Sequence, residues 1–229
     1  MTLLAVLSDI HGNGIAMEQF AFEVDKIKPD AIICLGDTLG YLDEEIKCYE
    51  ILEKIHAIHL MGNHEAMALG IIEINSEFED VYKLNAAKSR LSIDTLKNIR
   101  NFPREANLID RNFKAEFYHG NPSDPLNGRV YFDTKIEPKS NQTNFIFVGN
   151  THRSFSQTNL WGKVINVGSL GLPRDNGSLG TFVLVDTEKN LISRQFIDFN
   201  LDKMFNKYRF SHRSVLENFH KREKIADFN

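Results

Sequence analysis

The sequence predicts an α/β fold with two sheets in a single domain, residues 1–229, and three observations carry that reading. The first half alternates short, continuous apolar runs with stretches of helical spacing. The middle is mostly helical in pattern. The remainder is a series of short β-like runs punctuated by Asn and Gly.

In chain order, "TLLAVLS" (2–8) is an apolar run that reads as a buried strand. "GIAMEQFAFEVDKI" (14–27) has helical spacing and is stopped by Pro29. "DAIICLGD" (30–37) is a second strand, "LDEEIKCYEILEKI" (42–55) a second helix and "IHAIHLMGN" (55–63) a third strand. Continuous apolar strands separated by helices imply a parallel sheet with helices on both faces. Residues 66–102 form a helical insert, and "KLNAAKSRLSIDTLKNIRNFP" within it reads as two helices, with Ser92 an N-cap and Pro103 a stop. "KAEFYHGN", "NFIFVGN", "KVINVGS", "GTFVLVD" and "LISRQFID" then suit hairpins and a second, more antiparallel sheet. The tail, 201–224, reads as a C-terminal helix.

Composition narrows the function class. Apolar residues make up 42% and charged residues 25%, as in a globular chain with a sizeable core. A net charge of -4 without a basic stripe argues against a nucleic-acid partner. The two cysteines, Cys34 and Cys48, form no disulfide framework, so a reducing, cytoplasmic location is expected. The N-terminal "MTLLAVLSDIHGN" has no basic region typical of a signal peptide, and no stretch approaches a membrane span, so no membrane partner is expected.

Five polar tips share one syntax, an apolar run followed by Asp, His or Asn and usually Gly. They are "LSDIHGN", "CLGD", "LMGNHE", "FYHGN" and "FVGNTH". Sites in open α/β sheets form outside the carboxyl ends of the strands, so these tips are expected to converge on one edge. Buried polar groups each need a partner, and for this many together a metal ion supplies it.

In order and spacing these tips resemble the pattern D-x-H, G-D, G-N-H-[DE], H, G-H-x-H of the calcineurin-like metallophosphoesterase superfamily. The resemblance runs from about Thr2 to about Arg174 and is nearest the small bacterial and archaeal phosphodiesterase branch. It implies a sandwich of two mixed β-sheets flanked by helices, the 66–102 insert acting as a cap beside the site. It also implies two divalent metal ions drawn from Mn, Fe, Zn or Ni. Asp9, His11 and His152 would hold the first, Asn63 and His119 the second, and Asp37 would bridge them. Asn150 stands where the family pattern has a histidine and, by that mapping, would be a further ligand of the second metal.

The implied activity is hydrolysis of a phosphodiester or phosphomonoester, a nucleotide among the candidates, by a metal-activated hydroxide. His64 and Asp37 are the expected catalytic residues, with His64 also facing the phosphate. Asn13 and Arg153 are expected to contact substrate. Glu65 either orients His64 or is a first-turn helix residue. Tyr41 and Phe155 are candidate pocket-lining residues, and Arg174 and Asp175 candidate supports for a loop near the site. The alternative function is a catalytically impaired binding or scaffold protein of the same fold, motivated by Asn150.

Overall fold

The computed structural model describes residues 2–223, 226 and 228. The chain runs β1 (Leu3–Leu7), α1 (Gly14–Ile27), β2 (Ala31–Cys34), α2 (Glu45–Lys54), β3 (Ile58–His59) and α3 (Asn63–Ala68). A short 3-10 turn, Ser76–Phe78, leads to α4 (Glu79–Tyr82), α5 (Leu84–Arg90) and α6 (Ile93–Arg100). There follow β4 (Glu105–Asp110), β5 (Phe113–Tyr118), β6 (Phe145–Val148), β7 (Ser154–Asn159), β8 (Gly162–Val167), β9 (Leu179–Asp186) and β10 (Leu191–Asp198). The last elements are α7 (Leu201–Lys207) and α8 (Arg213–Asn218).

Two five-stranded mixed sheets result, ordered β10-β9-β1-β2-β3 and β4-β5-β6-β8-β7. In the first, β1, β2 and β3 are parallel and β9 returns antiparallel to β1. Alternation along β1 decides its two faces. Leu4 and Val6 pack with Phe113, Phe117, Phe147 and Ile165 of the second sheet. Ala5 and Leu7 pack with Phe20, Val24 and Leu52 of α1 and α2. The apolar runs are therefore continuous because both faces are covered. The expectation of helices on both faces is corrected: helices cover one face, and the second sheet covers the other.

The expected antiparallel character of the second sheet also needs correction. Its centre, β5-β6-β8, is parallel, and only the edge strands β4 and β7 pair antiparallel. Both edge strands escape detection in the sequence. "EANLID" and "SFSQTN" are half-exposed and largely polar, as edge strands are.

Helix boundaries follow local chemistry. α1 ends at Lys28, which adopts the left-handed conformation (φ 53°) and donates its N–H to the Val24 carbonyl ahead of Pro29. Ser92 caps α6 by accepting the Thr95 N–H at 3.0 Å. The expected single tail helix is two helices, because His212 accepts the Ser214 N–H and opens a new one. Met1 and Asn229, the bounds of the expected domain, and Lys224, the end of the expected tail helix, lie outside the described residues. Among the described residues no helix is long and apolar enough to cross a membrane.

Candidate metal centre

The parallel strands of both sheets deliver their carboxyl ends to one edge. Asp9 and His11 follow β1, Asp37 follows β2, and Asn63 and His64 open α3 after β3. His119 follows β5, and Asn150 and His152 follow β6. Main-chain bonds lock the tips together. The Asp9 and His11 N–H groups donate to the Gly36 and Asp37 carbonyls, each at 3.0 Å. The Asn150 N–H donates to Asp9 Oδ2, also at 3.0 Å, and so ties the second sheet to the first.

The tips are tightly wound. Asp9, His11, Asp37, Asn150 and His152 all have left-handed backbones, with φ between 52° and 63°. Non-glycine residues rarely adopt that region, and such strain gathers at functional sites. Two glycines permit close approach. A Cβ on Gly62 would lie 2.1 Å from Asp37 Oδ1, and one on Gly149 would lie 2.2 Å from Ser8 Oγ.

Ligand-type atoms crowd the space thus formed. Asp9, His11 and His152 form one triad, Asp9, Asp37 and His119 another, and His11, Asp37 and His64 a third, with ligand atoms in each within 4.8 Å of one another. His11 and His152 bring their Nε2 atoms to 3.0 Å. Their Nδ1 atoms sit on the carbonyls of Leu39 and Leu172, at 3.0 and 2.6 Å. A carbonyl only accepts, so each Nδ1 carries a hydrogen, and with one hydrogen per ring each Nε2 turns a lone pair inward. Two facing lone pairs need a shared cation. Asp9 Oδ1, buried without a hydrogen-bond partner among the described residues and 3.2 Å from His152 Nε2, points to the same need.

The other end of the cluster is Asp37, His119 and Asn63. His119 Nε2 lies 3.3 Å from Asp37 Oδ2 and 2.9 Å from the Asn63 amide oxygen. That oxygen faces only acceptors; without a cation the amide must rotate to donate to Asp37 and His119. The donor set therefore fits metal ions at both ends.

Electrostatics agree. Burial opposes ionisation of Asp37, yet His119 and His64 hold its carboxyl well below the usual range. Burial likewise opposes ionisation of Asp9, and His152 and His11 overcome it. His119 is pushed up to about 9, since Asp37 outweighs burial. His152 is pushed down to about 4 by burial and by the nearby Arg174 charge, and His64 to about 3 by burial. Both are neutral near pH 7.

Glu65 neither touches His64 nor serves only its helix. Its carboxylate accepts from the N–H groups of Asp37 (2.8 Å), Thr38 (2.7 Å) and Gly62 (3.0 Å) and from the Tyr49 hydroxyl (3.0 Å). It clamps the Asp37 loop to the start of α3.

Asp9, His11, Asp37, Asn63, His64, His119 and His152 thus gather as expected, while three expected residues do not reach the cluster with their side chains. Asn13 caps α1, accepting the Ala16 N–H and donating to the Gly171 carbonyl, so both ends of its amide are committed to backbone. Arg153 pairs with Glu223 at 2.6 Å on the surface. The Asn150 amide donates to the Gly128 carbonyl at 3.2 Å, and it is the backbone N–H that meets Asp9. Phe155 packs with Tyr118, Ile146 and Val164 on the outer face of the second sheet. Asp175 does support the loop, accepting the Ser154 and Asn176 N–H groups at 3.2 and 2.7 Å.

Sequence reasoning missed Tyr82 and undervalued Arg174. The Tyr82 ring lies 4.8 Å from His64, and Arg174 donates to the Tyr41 hydroxyl at 3.2 Å. Tyr82 carried no signal in a helical insert. Arg174 stood in "LPRD", a segment read only as loop support.

Comparison with known proteins agrees with this fold. An uncharacterized protein of Methanocaldococcus jannaschii is 26% identical over 227 residues, covering 90% of this chain and 91% of that protein. A hypothetical protein from Pyrococcus horikoshii superposes with a TM-score of 0.79 at 18% identity, covering 96% of this chain and 98% of its own. A metallophosphoesterase from Sphaerobacter thermophilus superposes with a TM-score of 0.74 at 19% identity and the same coverage. The calcineurin-like phosphoesterase superfamily domain matches residues 1–190. With that match over most of its length and a buried His/Asp cluster at the strand ends, the chain belongs to the calcineurin-like phosphoesterase superfamily.

Proposed function

We propose that the chain is a metal-dependent phosphoesterase that hydrolyses small phosphodiesters or phosphomonoesters. One observation carries the reading: the His11 and His152 Nε2 atoms face each other at 3.0 Å with both Nδ1 atoms committed to carbonyls. Asp9, His11 and His152 would hold one ion, Asn63 and His119 a second, and Asp37 would be shared. The mixed imidazole, carboxylate and amide donors suit Mn, Fe, Zn or Ni. When bound, such ions supply Lewis acidity and neutralise charge on a phosphoryl group.

The protein's own residues do the rest. His64 is buried and neutral, its Nε2 3.9 Å from Asp37 Oδ2. Its Nδ1 has no hydrogen-bond partner among the described residues and lies against Gly40, where a Cβ would approach to 2.6 Å. The ring is held between Tyr41, stacked at 5.1 Å, and Tyr82. In this reading the neutral imidazole presents its Nε2 side to the substrate and donates a hydrogen bond to the leaving-group oxygen. Tyr82 comes from the 66–102 insert, which supports its role as a cap that sets substrate choice.

The test is to load the protein with Mn, count metal per chain, and assay bis-p-nitrophenyl phosphate and p-nitrophenyl phosphate. Two metals per chain with turnover of at least one ester is the expected result. Full loading with no turnover of either overturns the catalytic reading.

A further inference from the structure

Beside the cluster lies an arginine, Arg174, with no ion pair among the described residues. Arg174 follows β8, and its backbone N–H donates to the His152 carbonyl at 3.0 Å. A guanidinium nitrogen donates to the Tyr41 hydroxyl at 3.2 Å. The Tyr41 ring sits edge-on to His11, centroids 4.7 Å apart, and stacks on His64 at 5.1 Å. One side chain therefore separates the guanidinium from two residues of the site. Arg174 is half-buried, and among the described residues it has no carboxylate partner. Arg90 and Arg153 differ, being closed by Glu45 at 2.5 Å and Glu223 at 2.6 Å.

A guanidinium beside a site that suits divalent cations is unfavourable by itself, because like charges repel and partial burial weakens the screening. An anion bridging the arginine and the cluster reverses the sign. The planar fork of arginine matches two oxygens of a phosphoryl group. The Tyr41 hydroxyl engages one nitrogen and so restricts the rotation of the fork, leaving other N–H groups available.

We infer that Arg174 binds the non-bridging oxygens of the substrate phosphoryl group and that Tyr41 is its positioning residue. The inference rests on the phosphoesterase reading above and adds to it the residue that recognises the anion.

The experiment compares Mn-loaded wild type with Arg174→Ala, Arg174→Lys and Tyr41→Phe. It measures metal per chain, kcat and KM for bis-p-nitrophenyl phosphate, inhibition by inorganic phosphate, and recovery with added guanidinium chloride. In Arg174→Ala, kcat/KM and phosphate inhibition should each fall about 10- to 100-fold, with metal content unchanged. Guanidinium should restore part of the loss in that variant alone. Arg174→Lys should fall between, and Tyr41→Phe should show a smaller loss in the same direction. A wild type that turns over, matched by Arg174→Ala in rate and phosphate inhibition, overturns the Arg174 assignment alone. Metal loss from Arg174→Ala without guanidinium recovery overturns it too, since the arginine then only supports the His152 loop. A loaded wild type that neither turns over nor binds phosphate overturns the phosphoesterase reading and this assignment with it.

Discussion

The two ends of the metal cluster are built to different standards. At the His11 and His152 end, both imidazoles are fixed through Nδ1 to backbone carbonyls. At the His119 end, Nδ1 is buried with no partner among the described residues, and the Asn150 amide is spent on the Gly128 carbonyl. Groups that hold the far nitrogen of a ligand set its tautomer and orientation, and their loss typically costs about 10- to 100-fold in metal affinity. On the two-metal reading, the first site is organised before metal arrives and the second is completed by it. Stepwise chelation of the Mn-loaded protein should accordingly remove one metal per chain well before the other. Simultaneous loss of both would break the comparison.

Asp37 belongs to both ends, so its replacement should have the largest effect. Asp37→Asn is expected to lower turnover at least about 1,000-fold and to reduce metal content at both sites, as read by metal analysis and kcat. If only one metal is lost, Asp37 is not shared.

Glu65 comes next. Glu65→Gln turns an amide toward groups that all donate, so the Asp37 loop should loosen. Metal affinity should fall about 10- to 100-fold and the melting temperature should drop, as read by metal titration and thermal unfolding. An unchanged metal affinity would show that the loop is held by β2 and α3 alone.

Asn150→His sharpens the contrast directly. An imidazole at 150 that leaves Gly128 and turns inward should tighten the weaker metal about 10-fold and leave the stronger one unchanged. Equal tightening of both, or of neither, would mean that residue 150 does not distinguish the ends.

The smallest effect is expected far from the cluster. Glu116 on β5 accepts from Tyr118, Thr143 and the backbone of Lys139 and Ser140, and these bonds hold its pKa below the ordinary value despite burial. A carboxyl with a lowered folded-state pKa adds stability above its unfolded value and loses it as pH falls through the folded one. Glu116→Gln should therefore lower the melting temperature near pH 7, and the difference should shrink as pH falls from about 4.3 through the lower folded-state value. A constant difference across that range would assign the effect to packing.

The residues of the cluster were legible because each lies next to an apolar strand, and strand plus tip is a local pattern. Asp9, His11, Asp37, Asn63, His64, His119 and His152 needed no knowledge of the partner sheet. The parallel centre of the second sheet was not legible. β5 and β6 are joined by a long segment, 119–144, that contains no helix, so the usual crossover signal was missing. Arg153 misled because adjacency to His152 is adjacency along the chain only. The left-handed turn at His152 leads into β7, and Arg153 ends on the surface with Glu223.

What the sequence determined by itself was the class of fold and the chemistry of the tips, since both arise from residue type and spacing within a few neighbours. Only the tertiary structure decided which face of the first sheet meets the second, where the Asn150 amide turns, and which arginine stands beside the cluster. The first and last depend on contacts between segments more than 100 residues apart, such as Leu4 with Phe113 and Arg174 on Tyr41, and the second on a contact across 22 residues, Asn150 on Gly128. Local patterning carries no record of such contacts, because they form only when the two sheets close on one another.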